Sequence, residues 1–428
     1  MGLYDALRAR EDAGNRIKLA LVGAGQMGSG MISQMERMQG IRAMAVADIL
    51  LERVLTAFQE AGVAADDVVA TTEQKVAEEA LLKGKRVATT DALLLTRLAP
   101  VEVVVEASGV PEVGAQVAFS SILNRKHVVM LNVETDVTVG YLLRRMADAA
   151  GIIYTVSAGD EPGATKELYD FAVTMGFRVV AAGKGKNNPL DRDATPTKLA
   201  AEAAAKEMSA KMLTAFVDGT KTMVEMTALS NATGLLPEVR GMHGPVATVE
   251  QLPKVFSLKS QGGILEHEGV VDFSLGPVAP GVFVVVTTDQ KPVIRDLQYL
   301  HVGSGPNWVF YRPYHLANLE TPLSAGRAVL QGETTIATVN KPVAETITVA
   351  KKDLKEGEKL DGIGQFTFYG SIEKAAIAAQ ERLLPLGLAQ DAVLKTDVAK
   401  GQVITYDQVE LDHNSMIVHL RGLQDRLA

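Results

Sequence analysis

The chain has 428 residues, a formal net charge of −8 and no cysteine, with 47% hydrophobic and 22% charged residues. That length is too great for one ordinary core and predicts two or three folded domains. The missing cysteines exclude disulfides, thiolate catalysis and Cys-ligated metals, and they fit a reducing cytoplasm. The negative charge argues against a nucleic-acid surface, and no stretch approaches the ~18 uninterrupted apolar residues of a membrane span. A cytoplasmic protein with a small-molecule substrate, and with no nucleic-acid or membrane partner, is expected.

Residues 1–16 read as an N-terminal arm, a charged amphipathic helix without the apolar centre of a signal peptide. An apolar run at 18–22 then breaks into Gly23-Ala24-Gly25-Gln26-Met27-Gly28. A helical pattern spaced by methionines follows, and a second apolar run at 43–47 ends on Asp48. Strand, G-x-G-x-x-G, helix, strand and acid in that order form the dinucleotide fingerprint. Gly23 is expected to make the tight turn, Gly25 to let a pyrophosphate approach the backbone, and Gly28 to let helix and strand pack closely. Gln26 and Met27 open the helix, whose free N–H groups face the phosphates. Asp48, 20 residues after Gly28, can accept both ribose hydroxyls and repel a 2′-phosphate. The expected cofactor is therefore NAD or NADP, with NAD favoured.

Further apolar runs at 101–107, 127–131 and 152–156 alternate with helical patterns such as 50–61 and 113–124. The alternation predicts an α/β fold with a Rossmann doubly wound parallel sheet over 17–159, its ligand outside the carboxyl ends of the strands. Ser108 and Gly109, after the run at 101–107, are candidate cofactor contacts, and Ser108 also suits a helix cap before Pro111. After 127–131 come Asn132, a candidate cofactor contact, and Glu134, a candidate for proton transfer; a helix start is the plainer reading of both. After 152–156, Asp160 is a second acid–base candidate beside Glu161. Glu134, Asp160 and Glu161 together would suit Mg²⁺ or Mn²⁺, although acids at a helix N-terminus need no metal.

Residues 160–340 read as an inserted α+β catalytic domain. Its expected elements are a helix at 166–175, a strand at 177–182, a long Ala-rich helix at 197–216, a mixed segment at 218–234 and a β-like run at 281–287. A last helical pattern at 319–330 is expected to pack back on the first domain. Between the strand and the long helix lies the loop Gly183-Lys184-Gly185-Lys186-Asn187-Asn188. Lysines there are costly to order without a partner, so Lys184 and Lys186 are candidates to bind a substrate phosphate, polarise a carbonyl or carry a proton. His243, between Gly241 and Gly244, is a further acid–base candidate. Residues 341–428 read as a compact β-rich tail in which Asp353-Leu354 with Gly357 and Lys400-Gly401 with Ile404-Thr405 echo one another. That echo is similar to SAF-type (β-clip) modules.

With these blocks in view, the chain resembles the 1-deoxy-D-xylulose-5-phosphate reductoisomerase-like family, related in fold to homoserine dehydrogenases. The resemblance spans nearly the whole chain. It rests on the Gly23 to Gly28 loop, on 126–134, 158–162, 182–189 with 193–196, 218–226, 241–245 and 310–316, and on the SAF-like tail. It implies a homodimeric oxidoreductase that isomerises a keto-sugar phosphate and reduces the branched aldehyde to 2-C-methyl-D-erythritol 4-phosphate. It also implies Lys184 and Lys186 near the phosphate or oxyanion, and Glu134 and Asp160 near the diol. Two residues depart from the pattern. Such biosynthetic reductases normally use NADPH, against Asp48, and homoserine dehydrogenases usually place a lysine where this chain has Val133. A catabolic NAD dehydrogenase of a small polyol, sugar acid or homoserine-like alcohol, and an NAD(H)-sensing binding protein, stay open.

Overall fold

The computed structural model describes residues 2–427; Met1 and Ala428, the ends of the expected arm and tail, lie outside the described residues. The chain forms two units, one of residues 2–163, 316–337 and 415–427, the other of 164–315 and 338–414. The division falls inside the helix Glu161–Thr174. No helix among the described residues is long and apolar enough to cross a membrane.

The first unit is built on seven parallel strands: β1 (Ile17–Val22), β2 (Ile41–Ala47), β3 (Val68–Ala70), β4 (Arg86–Thr89), β5 (Val103–Glu106), β6 (His127–Met130) and β7 (Tyr154–Val156). Their order is β3-β4-β2-β1-β5-β6-β7, so the direction of winding reverses between β1 and β5. This is the expected doubly wound sheet, with its crevice at the carboxyl ends of β1 and β5. The strands are almost wholly apolar because helices cover both faces. The short strands β3 and β4 had no clear apolar run to announce them. The helix Leu3–Asp12 buries Leu7, and its Arg10 pairs with Glu102 at 2.6 Å. The helix Ala317–Leu330, as expected of 319–330, packs within this unit against the helix Gln26–Met35.

The second unit holds a four-stranded sheet of β8 (Arg178–Lys186), β9 (Val270–Leu275), β10 (Val282–Thr287) and β11 (Asn307–Arg312), in the order β11-β10-β8-β9. Only β8 and β9 run parallel. The expected long helix at 197–216 is two helices, Pro196–Ala205 and Ala210–Val217, with Glu207 between them at φ 52°. The mixed segment at 218–234 is one buried helix, Thr220–Thr233. Three of its polar residues, Thr220, Thr227 and Asn231, bond the hairpin of β12 (Ala344–Ala350) and β13 (Phe368–Lys374) or its entry. Asn231 Oδ1 accepts from Val343 N at 2.8 Å and Ala344 N at 2.9 Å, and Thr220 Oγ1 accepts from Gly370 N at 2.9 Å. These polar groups can be buried because they are hydrogen-bonded.

The tail at 341–428, expected as a unit of its own, is divided: residues 338–414 group with the second unit and 415–427 with the first. The echoing segments do meet, through bridges Leu354↔Val398 and Val349↔Val403. The helix Met416–Leu427 belongs elsewhere because Glu112 caps its start, accepting from Met416 N and Ile417 N at 2.9 Å each. Gln424 further along it bonds the backbone of Thr138 and Leu142, each at 3.0 Å.

Candidate active site

The glycine loop of the first unit meets the steric demands expected of it. Gly23 has φ +101°, and a Cβ there would lie 2.7 Å from the carbonyl oxygen of Ala107. A Cβ on Gly28 would strike the carbonyl of Gly23, so the first turn of the helix Gln26–Met35 rests directly on the loop. Gly25, which caps that helix, faces open space: nothing lies within 4 Å of where its Cβ would be. An open glycine ahead of unpaired helix N–H groups fits a pyrophosphate, which needs backbone approach and offers only acceptors. Gln26 and Met27 form the first turn of the same helix.

Asp48 ends β2. Its Oδ2 accepts from Ala24 N at 2.9 Å and its Oδ1 from Leu50 N at 3.0 Å, and Arg53 lies 3.9 Å away. It therefore braces the glycine loop from within. Ser108 and Gly109 follow β5 in a turn where Gly109 has φ +67° and Ser108 Oγ accepts from Val110 N at 3.2 Å. Asn132 is buried with both ends of its amide engaged: Oδ1 accepts from Thr135 N at 3.2 Å and Nδ2 donates to Val110 O at 3.0 Å. Its side chain caps the helix Val133–Ala150 and ties β6 to the turn after β5, a task other than direct cofactor contact.

Glu106, the last residue of β5, carries more than the sequence announced. It is fully buried, accepts from Ser108 N at 2.9 Å, and burial pushes its carboxyl up to about 7. The available signal was an acid closing the run Val103-Val104-Val105, where every neighbour is core. Asp136 is likewise pushed up to about 7 by burial, and accepts from the Tyr154 hydroxyl at 3.0 Å.

Glu134 is buried in the first turn of Val133–Ala150, while Asp160 and Glu161 are buried where β7 gives way to the helix Glu161–Thr174. These positions suit acids for the helix dipole alone. Glu134 does not join Asp160 and Glu161 in a metal-spaced cluster among the described residues, so the expected Mg²⁺ or Mn²⁺ trio is not assembled.

In the second unit, Lys184 and Lys186 are not on a loop. They are the inner face of the last residues of β8, which run on to Lys186. The glycines between them admit close strands: a Cβ on Gly183 would strike the carbonyl of Asp272, and one on Gly185 the backbone of Ala279. Lys184 pairs with Glu225 of the helix Thr220–Thr233, and both are nearly inaccessible, at 8% and 2% side-chain exposure. Lys186 has a different task from the one expected. Its ammonium donates to Asn188 O at 2.7 Å, Phe216 O at 2.8 Å and Pro189 O at 3.4 Å, which occupies its three donors and caps the helix Ala210–Val217. Burial, with Lys184 beside it, pushes its pKa down to about 8.

Two more groups surround this face. Asp218, fully buried, bonds the Lys351 ammonium at 2.8 Å. Arg192 stacks on the Tyr369 ring at 4.6 Å and donates to Asp218 O at 2.6 Å, making no carboxylate ion pair among the described residues. Tyr369 could not be placed here from sequence, because it reaches Arg192 only through the β13 register.

His243 lies apart from the lysines. Register pairs Lys184 with Phe273 and Gly183 with Asp272, so Asp272 points to the opposite face of the sheet. His243 Nδ1 lies 2.8 Å from Asp272 Oδ2, and Nε2 3.3 Å from Glu238 Oε2. With both ring nitrogens held by carboxylates, His243 clamps the loop and is not poised as a general base. Its pKa is raised, first by the bond to Asp272. A raised folded pKa stabilises the clamp below the ordinary histidine value and releases it as pH rises through the folded one. Amide exchange in residues 264–268, whose Glu266 and His267 N–H groups bond Glu238, should accelerate above that pKa. In His243→Gln the pH step should vanish; an unchanged profile would contradict the clamp.

Residues 159–321 match the family model described as Oxidoreductase DRL, catalytic domain. The match takes in Lys184, Glu225, His243 and Asp272, and it supports the oxidoreductase expected from the sequence. Among solved structures, the chain is similar to one described as a probable dehydrogenase from Thermotoga maritima, 14% identical over 75% of this chain and 91% of that one, with a TM-score of 0.44. It is also similar to scyllo-inositol dehydrogenase from Lactobacillus casei, described with bound NAD(H) and scyllo-inositol, 13% identical over 63% of this chain and 73% of that one, with a TM-score of 0.36. No curated protein matches the chain.

Proposed function

We propose that this protein is an NAD(H)-preferring oxidoreductase acting on a small polyhydroxylated compound, with Lys184 and Glu225 as its proton-handling pair. The observation that carries the reading is the buried Lys184–Glu225 pair inside the stretch similar to an oxidoreductase catalytic domain. Nicotinamide dinucleotide, when bound at the glycine loop, supplies the hydride donor or acceptor. The chain's own residues do the rest. The Lys184 ammonium can polarise a carbonyl oxygen and deliver a proton to it, or hold the proton released from a hydroxyl in the opposite direction. Glu225 holds the charge of that ammonium in a water-poor setting, where ionic contacts weigh more than in solvent.

Asp48 favours NAD(H) in this reading. Asp48→Ser is expected to weaken NADH binding about tenfold, since it removes both a ribose acceptor and the brace on Ala24 N, and to shift preference towards NADPH. Paired fluorescence titrations of the two cofactors check it, and an unchanged ratio would remove Asp48 from the specificity role.

A sugar-phosphate substrate, with conversion of 1-deoxy-D-xylulose 5-phosphate to 2-C-methyl-D-erythritol 4-phosphate as its most specific form, is the second reading. Arg192, a cation without a carboxylate ion pair among the described residues, favours it; the full engagement of Lys186 favours a substrate without phosphate. Turnover assays decide between them, using 1-deoxy-D-xylulose 5-phosphate with NADH or NADPH beside homoserine and a panel of C4–C5 polyols with NAD⁺ or NADP⁺, each with and without Mg²⁺ or Mn²⁺. Oxidation of polyols without reduction of the sugar phosphate supports the first reading, and reduction of the sugar phosphate supports the second; no turnover at all would favour an NAD(H)-sensing protein.

A further inference from the structure

Glu106 closes β5 at the point where the first sheet reverses its winding. Register sets it beside Val22, the last residue of β1, and the glycine loop begins at the next residue. The backbone that follows Glu106 is packed against that loop: a Cβ on Gly23 would lie 2.7 Å from Ala107 O and 3.2 Å from Ser108 N. The Glu106 carboxyl reaches around this tight passage, and its Oε1 accepts from Ser108 N at 2.9 Å. The other side of the same turn is held by Asn132, which donates to Val110 O at 3.0 Å. Two side chains from adjacent strand ends thus fix the Ser108–Gly109 turn between them.

The second carboxyl oxygen of Glu106 is the unusual feature. Oε2 is inaccessible to solvent, and the side chains of Ser108 and Asn132 bear on the same carboxyl. A buried carboxyl is costly unless hydrogen bonds hold it, and the bond that Glu106 accepts comes from the turn packed against the glycine loop. Glu134 and the Tyr154 hydroxyl are the titratable groups that bear on it.

We propose that Glu106 is a positioning residue for the nicotinamide cofactor, holding the Ser108–Gly109 turn at the height the dinucleotide needs beside the glycine loop. The inference rests on the reading that this loop binds a nicotinamide dinucleotide. It concerns a residue outside the glycine-rich fingerprint, and it makes the end of β5 a determinant of cofactor affinity.

Binding of NADH to the full chain tests this, with thermal melting as the control for folding. Glu106→Ala removes the acceptor, and Glu106→Asp withdraws it by one methylene. Both are expected to raise the NADH dissociation constant by about tenfold or more. Glu106→Gln keeps an acceptor for Ser108 N and is expected to stay within about threefold of the wild type. Should the alanine variant fail to fold, the Asp and Gln variants carry the comparison. Ala or Asp variants that fold and bind NADH as tightly as the wild type would overturn the inference, as would a Gln variant as impaired as the others. Failure of the wild type to bind NADH would overturn the cofactor reading itself and is distinguished by that result.

Discussion

Lys184→Met is expected to lower kcat by about 10²- to 10⁴-fold, the range for loss of a positioned acid–base group, while the NADH dissociation constant stays close to that of the wild type. The same substitution should also be costly to the fold. Lys184 and Glu225 are both nearly inaccessible, and removing one partner of a buried ion pair costs about 3–5 kcal/mol. Those two effects separate in a double variant. Replacing both partners by apolar residues, Lys184→Met with Glu225→Leu, takes away the stranded charge and should restore most of the melting temperature. Activity should stay lost. A double variant that recovered kcat along with stability would make the pair a structural ion pair only.

Gly25→Val is expected to weaken NADH binding at least about tenfold, roughly 1.4 kcal/mol, with little change in thermal stability. Within the protein the new Cβ has room, since no atom lies within 4 Å of its position. It fills instead the space in front of the helix Gln26–Met35, where the phosphates need the backbone. Gly28→Ala provides the contrast. Its Cβ would strike the Gly23 carbonyl, so stability and binding should fall together, by about 1–3 kcal/mol for the strained packing. A Gly25→Val protein that binds NADH normally would put the dinucleotide elsewhere.

Much of this fold was legible because its strongest signals are local. The glycine loop, Asp48 and the apolar runs at 18–22, 43–47 and 127–131 are each set by a short stretch of chain, and all stand where the spacing put them. The three-residue strand β3 carried no comparable signal, because a short, half-exposed edge strand needs little apolar sequence. Gly183-Lys184-Gly185-Lys186 looked like a loop for a physical reason: glycine and lysine are poor strand formers. They are a strand here because Gly183 admits the Asp272 backbone on one side and Glu225 neutralises Lys184 on the other.

The candidate site was legible in part for the same reason. Lys184 was legible from its glycine-flanked place after an apolar run, but its partner Glu225 lies 41 residues further on, and only the packing of the helix Thr220–Thr233 brings the two together. Lys186 and His243 looked equally promising as residues. Their tasks depend on where every N–H points, and the answer came from carbonyls and carboxylates that no local spacing encodes. Glu106 was visible as a residue but not as a buried acid, because its environment is made by three separate strands.

On the function proposed, the chain binds NAD(H) at the Gly23 to Gly28 loop and uses it as a redox cofactor. Titration of the wild-type protein with NADH and NADPH in parallel tests it most directly. Saturable NADH binding is expected, about tenfold or more tighter than NADPH, if Asp48 holds the specificity role proposed for it. No NADH binding, or tighter binding of NADPH, would contradict it.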